Sequence, residues 1–162
     1  MGIEGIGARV LRKEDKRFIT GKGRYTDDMS VPGMKHAHFV RSPHAHAEIK
    51  KIDTKKALAM PGVIAVLTGK ELKADGIGNI ICGWMIHSKD GSPMKMGAWS
   101  PLATDTVRYV GDAIVIVVAD TKSQARDAAE AVDITYKVKK AVVSAVDALK
   151  AGAPQIHPEA AG

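Results

Sequence analysis

Bulky apolar side chains alternate with small or polar ones along Met34 to Val40 (MKHAHFV). A second short run, Ala47 to Asp53 (AEIKKID), carries Ile49 and Ile52, and both patterns predict β-strands. Arg41-Ser42-Pro43-His44 lies between them and predicts a turn. Pro43 fixes its own φ, offers no N–H to a ladder and biases Ser42 toward an extended conformation, so two strands joined by a bend fit better than one continuous strand. Asp53 or Thr54 can cap a short helix over Lys55 to Met60. Pro61-Gly62 ends it before the apolar strand Val63 to Leu67, completing a β-β-α-β unit.

A second patterned block runs from Leu102 to Tyr136. Val107 to Val110 and Ala113 to Ala119 predict two strands around a Gly111-Asp112 turn. The second is almost uninterruptedly apolar, which predicts a central strand covered on both faces. Thr121 to Gln124 fits a capping box, and Ala125, Ala128, Ala129 and Val132 follow at helical spacing on one face. Asp133 to Lys137 returns as a strand.

The two blocks are separated by a stretch without period. Lys73 to Pro101 contains glycine at 76, 78, 83, 91 and 97, together with Pro93 and Pro101, and it also holds Cys82, both tryptophans and several methionines. Loops this long inside a compact domain are usually functional or ordered by a partner. Trp84, Met85, Ile86, Met94, Met96 and Trp99 are too apolar for a solvated linker, which predicts packing against another domain or subunit, with Trp84, Met94, Met96 and Trp99 as the contact residues. The competing reading is that these side chains cover one end of the domain's own sheet. After Ala141 a small helix over Ser144 to Lys150 is predicted to end at Gly152. Gly152-Ala153-Pro154 and His157-Pro158-Glu159 then read as an extended connection leaving the domain.

Several short strings in this framework carry a resemblance when taken together. They are Gly21-Lys22-Gly23-Arg24-Tyr25 with Asp27-Asp28, Arg41-Ser42-Pro43-His44-Ala45, Pro61-Gly62-Val63, and Val107-Arg108-Tyr109-Val110-Gly111. In this order and spacing the chain resembles the amino-terminal α/β hammerhead domain of the molybdenum hydroxylases, the xanthine dehydrogenase, aldehyde oxidoreductase and aerobic carbon monoxide dehydrogenase family. Cys82-Gly83-Trp84 and Ser88 to Lys95 look most like the carbon monoxide dehydrogenase-type large chains. Lys139-Lys140 stands where relatives usually carry Leu-Pro, so that turn is not expected to be a close copy.

The resemblance implies an α/β (α+β) fold with a mixed sheet and covering helices. It implies an entry arm over 1–33, the hammerhead domain over 34–150 with its irregular loop 73–101, and a linker over 151–162 toward a molybdopterin-binding region that this sequence does not contain. The implied role is structural, within a large subunit whose enzyme hydroxylates a carbon centre or oxidises carbon monoxide. The expected cofactors are molybdopterin in the full subunit and FAD and iron-sulfur clusters on companion subunits, with none bound by this chain alone. The expected partners are the molybdopterin-binding domains of the same subunit and the flavin and iron-sulfur subunits. No motif of the catalytic region is present, so no catalytic, cofactor-binding or metal-ligating residue is assigned and the chain alone is expected to be inactive.

Composition narrows the picture. With 162 residues and 45% hydrophobic content the chain can bury one core, and with only 4% aromatic residues that core must come from Val, Ile, Leu, Ala and Met. The single cysteine, Cys82, cannot form an internal disulfide or ligate an iron-sulfur cluster alone, which favours a reducing, cytoplasmic setting. The first ten residues lack the apolar core of a signal peptide, and no apolar run is long enough to cross a bilayer. The formal charge of +6 and pI near 9.4 raise nucleic-acid binding as an alternative class. The basic residues are scattered and accompany no reading motif, so a protein partner is the better use of the basic entry arm. A stand-alone scaffold is the other alternative.

The remaining chemistry is weak. His36 with His38, and His44 with His46, could converge on one strand face. No Cys, Asp or Glu joins them at ligand spacing before Glu48, so imidazoles that pack or hydrogen-bond locally are the better reading. The glycine strings Gly2 to Gly7 and Gly21 to Gly23 do not follow an apolar strand and open a helix, as a phosphate loop must. Asp27 with Asp28, and Asp105 with Arg108, read as surface turns and caps rather than acid-base groups.

Overall fold

The computed structural model describes residues 5–7 and 11–160. The start of the first glycine string, Gly2 to Glu4, and Arg9 lie outside the described residues. The chain divides into two compact units, Met1–Met34 and Lys35–Gly162. In the first, helix α1 (Asp15–Ile19) is followed by a 3-10 turn over Thr26–Asp28. The Asp28 carboxylate accepts the Tyr25 N–H at 2.9 Å, and the rings of Phe18 and Tyr25 stack 4.9 Å apart. Asp28 thus ties a turn.

The second unit contains strands β1 (His36–Arg41), β2 (Ala47–Asp53), β3 (Val63–Thr68), β4 (Thr106–Val107), β5 (Ala113–Ala119) and β6 (Asp133–Val138). Its helices are α2 (Lys55–Leu58), α3 (Gly69–Ala74), α4 (Lys122–Glu130) and α5 (Ala145–Ala148). A single mixed sheet was expected. The strands instead form two three-stranded sheets, ordered β1-β5-β3 and β4-β2-β6, and every pairing in them is antiparallel. The α/β class and the covering helices stand.

The bend at Ser42 explains the division. β1 and β2 do not pair with each other; successive strands alternate between the two sheets, and the chain changes sheet at Ser42 and again between β4 and β5. These two of the five crossings are bonded together, with Ser42 N–H donating to Asp112 C=O and Gly111 N–H to Ser42 C=O, each at 2.8 Å. Arg41 Nη1 adds a bond to Gly111 C=O at 2.9 Å, and the Ser42 hydroxyl accepts the His44 N–H at 3.0 Å. The Arg41-Ser42-Pro43-His44 and Val107-to-Gly111 strings are therefore two halves of one joint. This also shortens the strand expected over Val107 to Val110. The Arg108 N–H goes to the Asp112 carboxylate at 3.0 Å instead of a ladder, so β4 stops at Val107.

β5 is central, as its unbroken Ile/Val run requires. Ile114, Val115, Val117 and Ala119 are fully buried. Coverage of its two faces is unequal, however: Ile116 and Val118 are half-buried, and Phe39, opposite Ile116, is 40% exposed. Helix α4 packs on β1 and β5 through Ala125, Ala128 and Ala129, whose missing bulk lets the helix approach closely. Thr121 caps it by accepting the Gln124 N–H at 3.2 Å, and the Thr121 hydroxyl lies 2.9 Å from Gln124 Oε1. α2 is held at its start by Asp53, whose carboxylate accepts the Lys55 N–H at 3.2 Å. Gly62 follows with φ +79°, a left-handed conformation that favours glycine in the turn into β3, and the end of the Gln124 side chain packs over it.

Helix α3 was not anticipated, although it has a legible start. Thr68 and Glu71 form a reciprocal capping box in which Glu71 accepts both the Thr68 N–H, at 2.8 Å, and the Thr68 hydroxyl. These bonds, the hydroxyl first, hold the Glu71 carboxyl below its ordinary pKa. Because α3 takes in Lys73 and Ala74, the irregular stretch begins only at Asp75.

Candidate functional site

The apolar residues of the irregular stretch are largely turned out of the domain. Trp84 is 80% exposed, Ile81 89% and Trp99 53%; Met96 is also exposed and Met94 half-buried. The backbone of the stretch bonds locally. Met94 N–H donates to Ile86 C=O at 2.9 Å and Ser88 N–H to Ser92 C=O at 2.8 Å, closing a small hairpin whose tip is the Gly91 turn. The Asp90 carboxylate accepts both the Ser92 hydroxyl, at 2.6 Å, and its N–H, at 2.9 Å, which lowers its pKa. Cys82 is half-buried and its thiol lies 3.3 Å from Trp84 C=O.

One end of the stretch is anchored. Ile80 N–H donates to Trp99 C=O at 2.8 Å, and the Trp99 ring lies 6.1 Å from Tyr109 and 6.5 Å from His157. These rings, with Lys73, Asn79, Asp105 and Arg108, line a cleft of about 500 Å³. Burial and the adjacent Asp112 carboxylate raise the Tyr109 pKa. Up to Ala160 the tail lies against the domain, with a 3-10 turn at Pro158–Ala160, and Glu159 Oε1 accepts the Ala98 N–H at 3.1 Å. Arg108 donates from Nε to Ile156 C=O at 3.1 Å and places its guanidinium 3.6 Å from Glu159, whereas Asp105 accepts the Thr104 hydroxyl. His157 Nδ1 lies 3.0 Å from the same Glu159 oxygen. The backbone N–H of Glu159 itself, then His157, Ala98 and Arg108, hold this carboxyl at a pKa of about 2. Arg108 lies some fifty residues before His157 and Glu159, too far in sequence for any local pattern to join it to them.

The four clustered histidines are dispersed. His46 is buried with Nδ1 3.0 Å from Lys140 C=O, and His44 meets the Tyr136 ring edge-on at 4.9 Å. His36 and His38 lie on β1. Among the described residues no three His, Cys, Asp or Glu side chains converge to hold a metal ion. Lys139-Lys140 serves the backbone, with Lys139 N–H donating to His46 C=O at 2.9 Å. No helix among the described residues is long and apolar enough to cross a membrane.

A family model described as "Aldehyde oxidase and xanthine dehydrogenase, a/b hammerhead domain" matches residues 20–140. The carbon monoxide dehydrogenase large chain of Hydrogenophaga pseudoflava is 41% identical over 163 residues, covering 100% of this chain and 19% of the relative. The nicotine 6-hydroxylase large subunit of Paenarthrobacter nicotinovorans is 39% identical over 91% of this chain and 17% of its own length. Among solved structures, reconstituted CO dehydrogenase from Oligotropha carboxidovorans superposes with a TM-score of 0.74 at 38% identity, covering 93% of this chain and 17% of that one. The chain thus spans less than a fifth of the length of these relatives.

Proposed function

The chain belongs to the aldehyde oxidase and xanthine dehydrogenase a/b hammerhead domain family, and from that premise we propose that it is the structural amino-terminal domain of a molybdenum hydroxylase large subunit of the carbon monoxide dehydrogenase kind. The observation that carries this reading is the match to a carbon monoxide dehydrogenase large chain along the whole of the sequence. In this reading residues 1–33 are an entry arm, 34–150 the hammerhead and 151–162 the connection onward. Molybdopterin belongs to the rest of the large subunit, and FAD and iron-sulfur clusters to companion subunits. The complete enzyme works in the cytoplasm, oxidising a carbon centre with oxygen drawn from water.

The exposed apolar loop fits this role. Trp84, Met94, Met96 and Trp99 are the surface offered to a neighbouring domain or subunit, because large apolar side chains left in water by their own domain are covered favourably by another. The role of this chain's residues is to fold and dock, with no part in the redox chemistry.

Reading the coding sequence beyond the Gly162 codon tests the proposal. An open frame continuing into a molybdopterin-binding region is the expected result. An immediate stop would overturn it in favour of a free-standing scaffold, and molybdenum-dependent turnover by the purified 162-residue protein would contradict the assignment of the chemistry elsewhere.

A further inference from the structure

We propose that residues 156–160 form an intramolecular latch, a strap docked on residues 97–109 that orders the Trp99 end of the exposed loop and completes the wall of the cleft. Three features support it. The first is electrostatic: Glu159 accepts the Ala98 N–H while facing the Arg108 guanidinium and His157. The second is a backbone contact, since Arg108 also donates to Ile156 C=O, so one side chain holds the strap at two points. The third is steric. A Cβ on Gly97 would overlap the imidazole of His157, so the ring sits where it does because position 97 has no side chain. The backbone of Gly97 is not in the left-handed region, so alanine there is compatible with the local backbone, and the atoms nearest its Cβ belong to His157 of the strap.

The latch has a structural consequence for docking. It brings His157 beside Trp99 and Tyr109, so that the cleft is walled by rings from three separate segments. A partner covering Trp99 would meet the strap as well as the loop. The latch is made of contacts within this chain and is independent of any further domain, so its failure and that of the proposed function are distinguishable.

Hydrogen exchange of the full 162-residue protein tests the latch at one amide, that of Ala98. Glu159→Gln should lower its protection by about tenfold or more, the size expected when a charge-assisted hydrogen bond is weakened, with β5 amides unchanged. Gly97→Ala should do the same by displacing His157. Adding His157→Ala to Gly97→Ala should recover part of the protection, because the obstructing ring is gone. Ala98 exchange that is unmoved by both Glu159→Gln and Gly97→Ala would overturn the latch. If Gly97→Ala lowers β5 protection as well, Glu159→Gln alone decides.

Discussion

β5 and the loop after α3 are both rich in large apolar side chains, and they meet opposite fates. Val115 and Val117 are wholly buried between two partner strands, whereas Trp84 and Ile81 stand in solvent. Hydrophobicity is not what separates them. β5 offers an unbroken run of β-branched residues, able to satisfy its backbone in a ladder on both sides while its side chains pack. The loop is interrupted by Gly76, Gly78, Gly83, Gly91, Pro93 and Gly97, so it closes its backbone bonds in local turns and presents no regular face to the sheets. Apolar residues that add nothing to their own domain's core are consistent with a surface that another domain covers.

The contrast can be broken most forcefully at the core. Ile114→Ala should cost about 2–5 kcal/mol, as deletion of a fully buried aliphatic side chain does, read as a shift in the urea midpoint; a cost comparable to that of a loop substitution would mean that β5 is not the centre of stability.

An intermediate effect is expected where the loop is anchored. The Glu159 carboxyl sits at about 2 when folded, below the ordinary carboxylate range, so the folded state binds its proton less readily than the unfolded one. Its contribution is present above the ordinary value and is lost as pH falls through about 2. Followed by NMR at the Ala98 amide, the titration should have its midpoint near 2; a midpoint in the ordinary carboxylate range would contradict the anchor.

The smallest effect belongs to the exposed loop. Trp84→Ala should change the stability of the isolated chain by less than about 0.5 kcal/mol, as surface substitutions do, while weakening association with the remainder of a molybdenum hydroxylase. A large loss of stability in the isolated chain would show that Trp84 packs on its own domain.

The same contrast marks what could be read from sequence. β2, β5 and the capped α4 were legible because each declares itself locally, by an apolar run or by Thr121 and Gln124 at cap spacing. The partners of each strand were not, since alternation tells which side of a strand is buried and says nothing of the sheet it joins; the crossing at Ser42 depends on Gly111 and Asp112, some seventy residues away in the chain. Helix α3 was missed even though Thr68 and Glu71 stand at capping-box spacing, because Gly69 and the polar Lys70 obscure its short apolar pattern. The docking of Glu159 on Ala98 and Arg108 is wholly non-local. His157-Pro158 reads as a breaker wherever it falls, and nothing nearby announces that the strap returns.

The central claim is that this domain holds its sheets together unaided and leaves the loop for another surface to cover. Limited trypsin digestion of the isolated chain tests it most directly, through Lys89 and Lys95 on the exposed hairpin. Rapid cleavage at these two lysines, with the sheet-forming segments on either side surviving as an associated core, is the predicted result. Resistance at Lys89 and Lys95 equal to that of β5 would contradict it, because the loop would then be packed on its own domain.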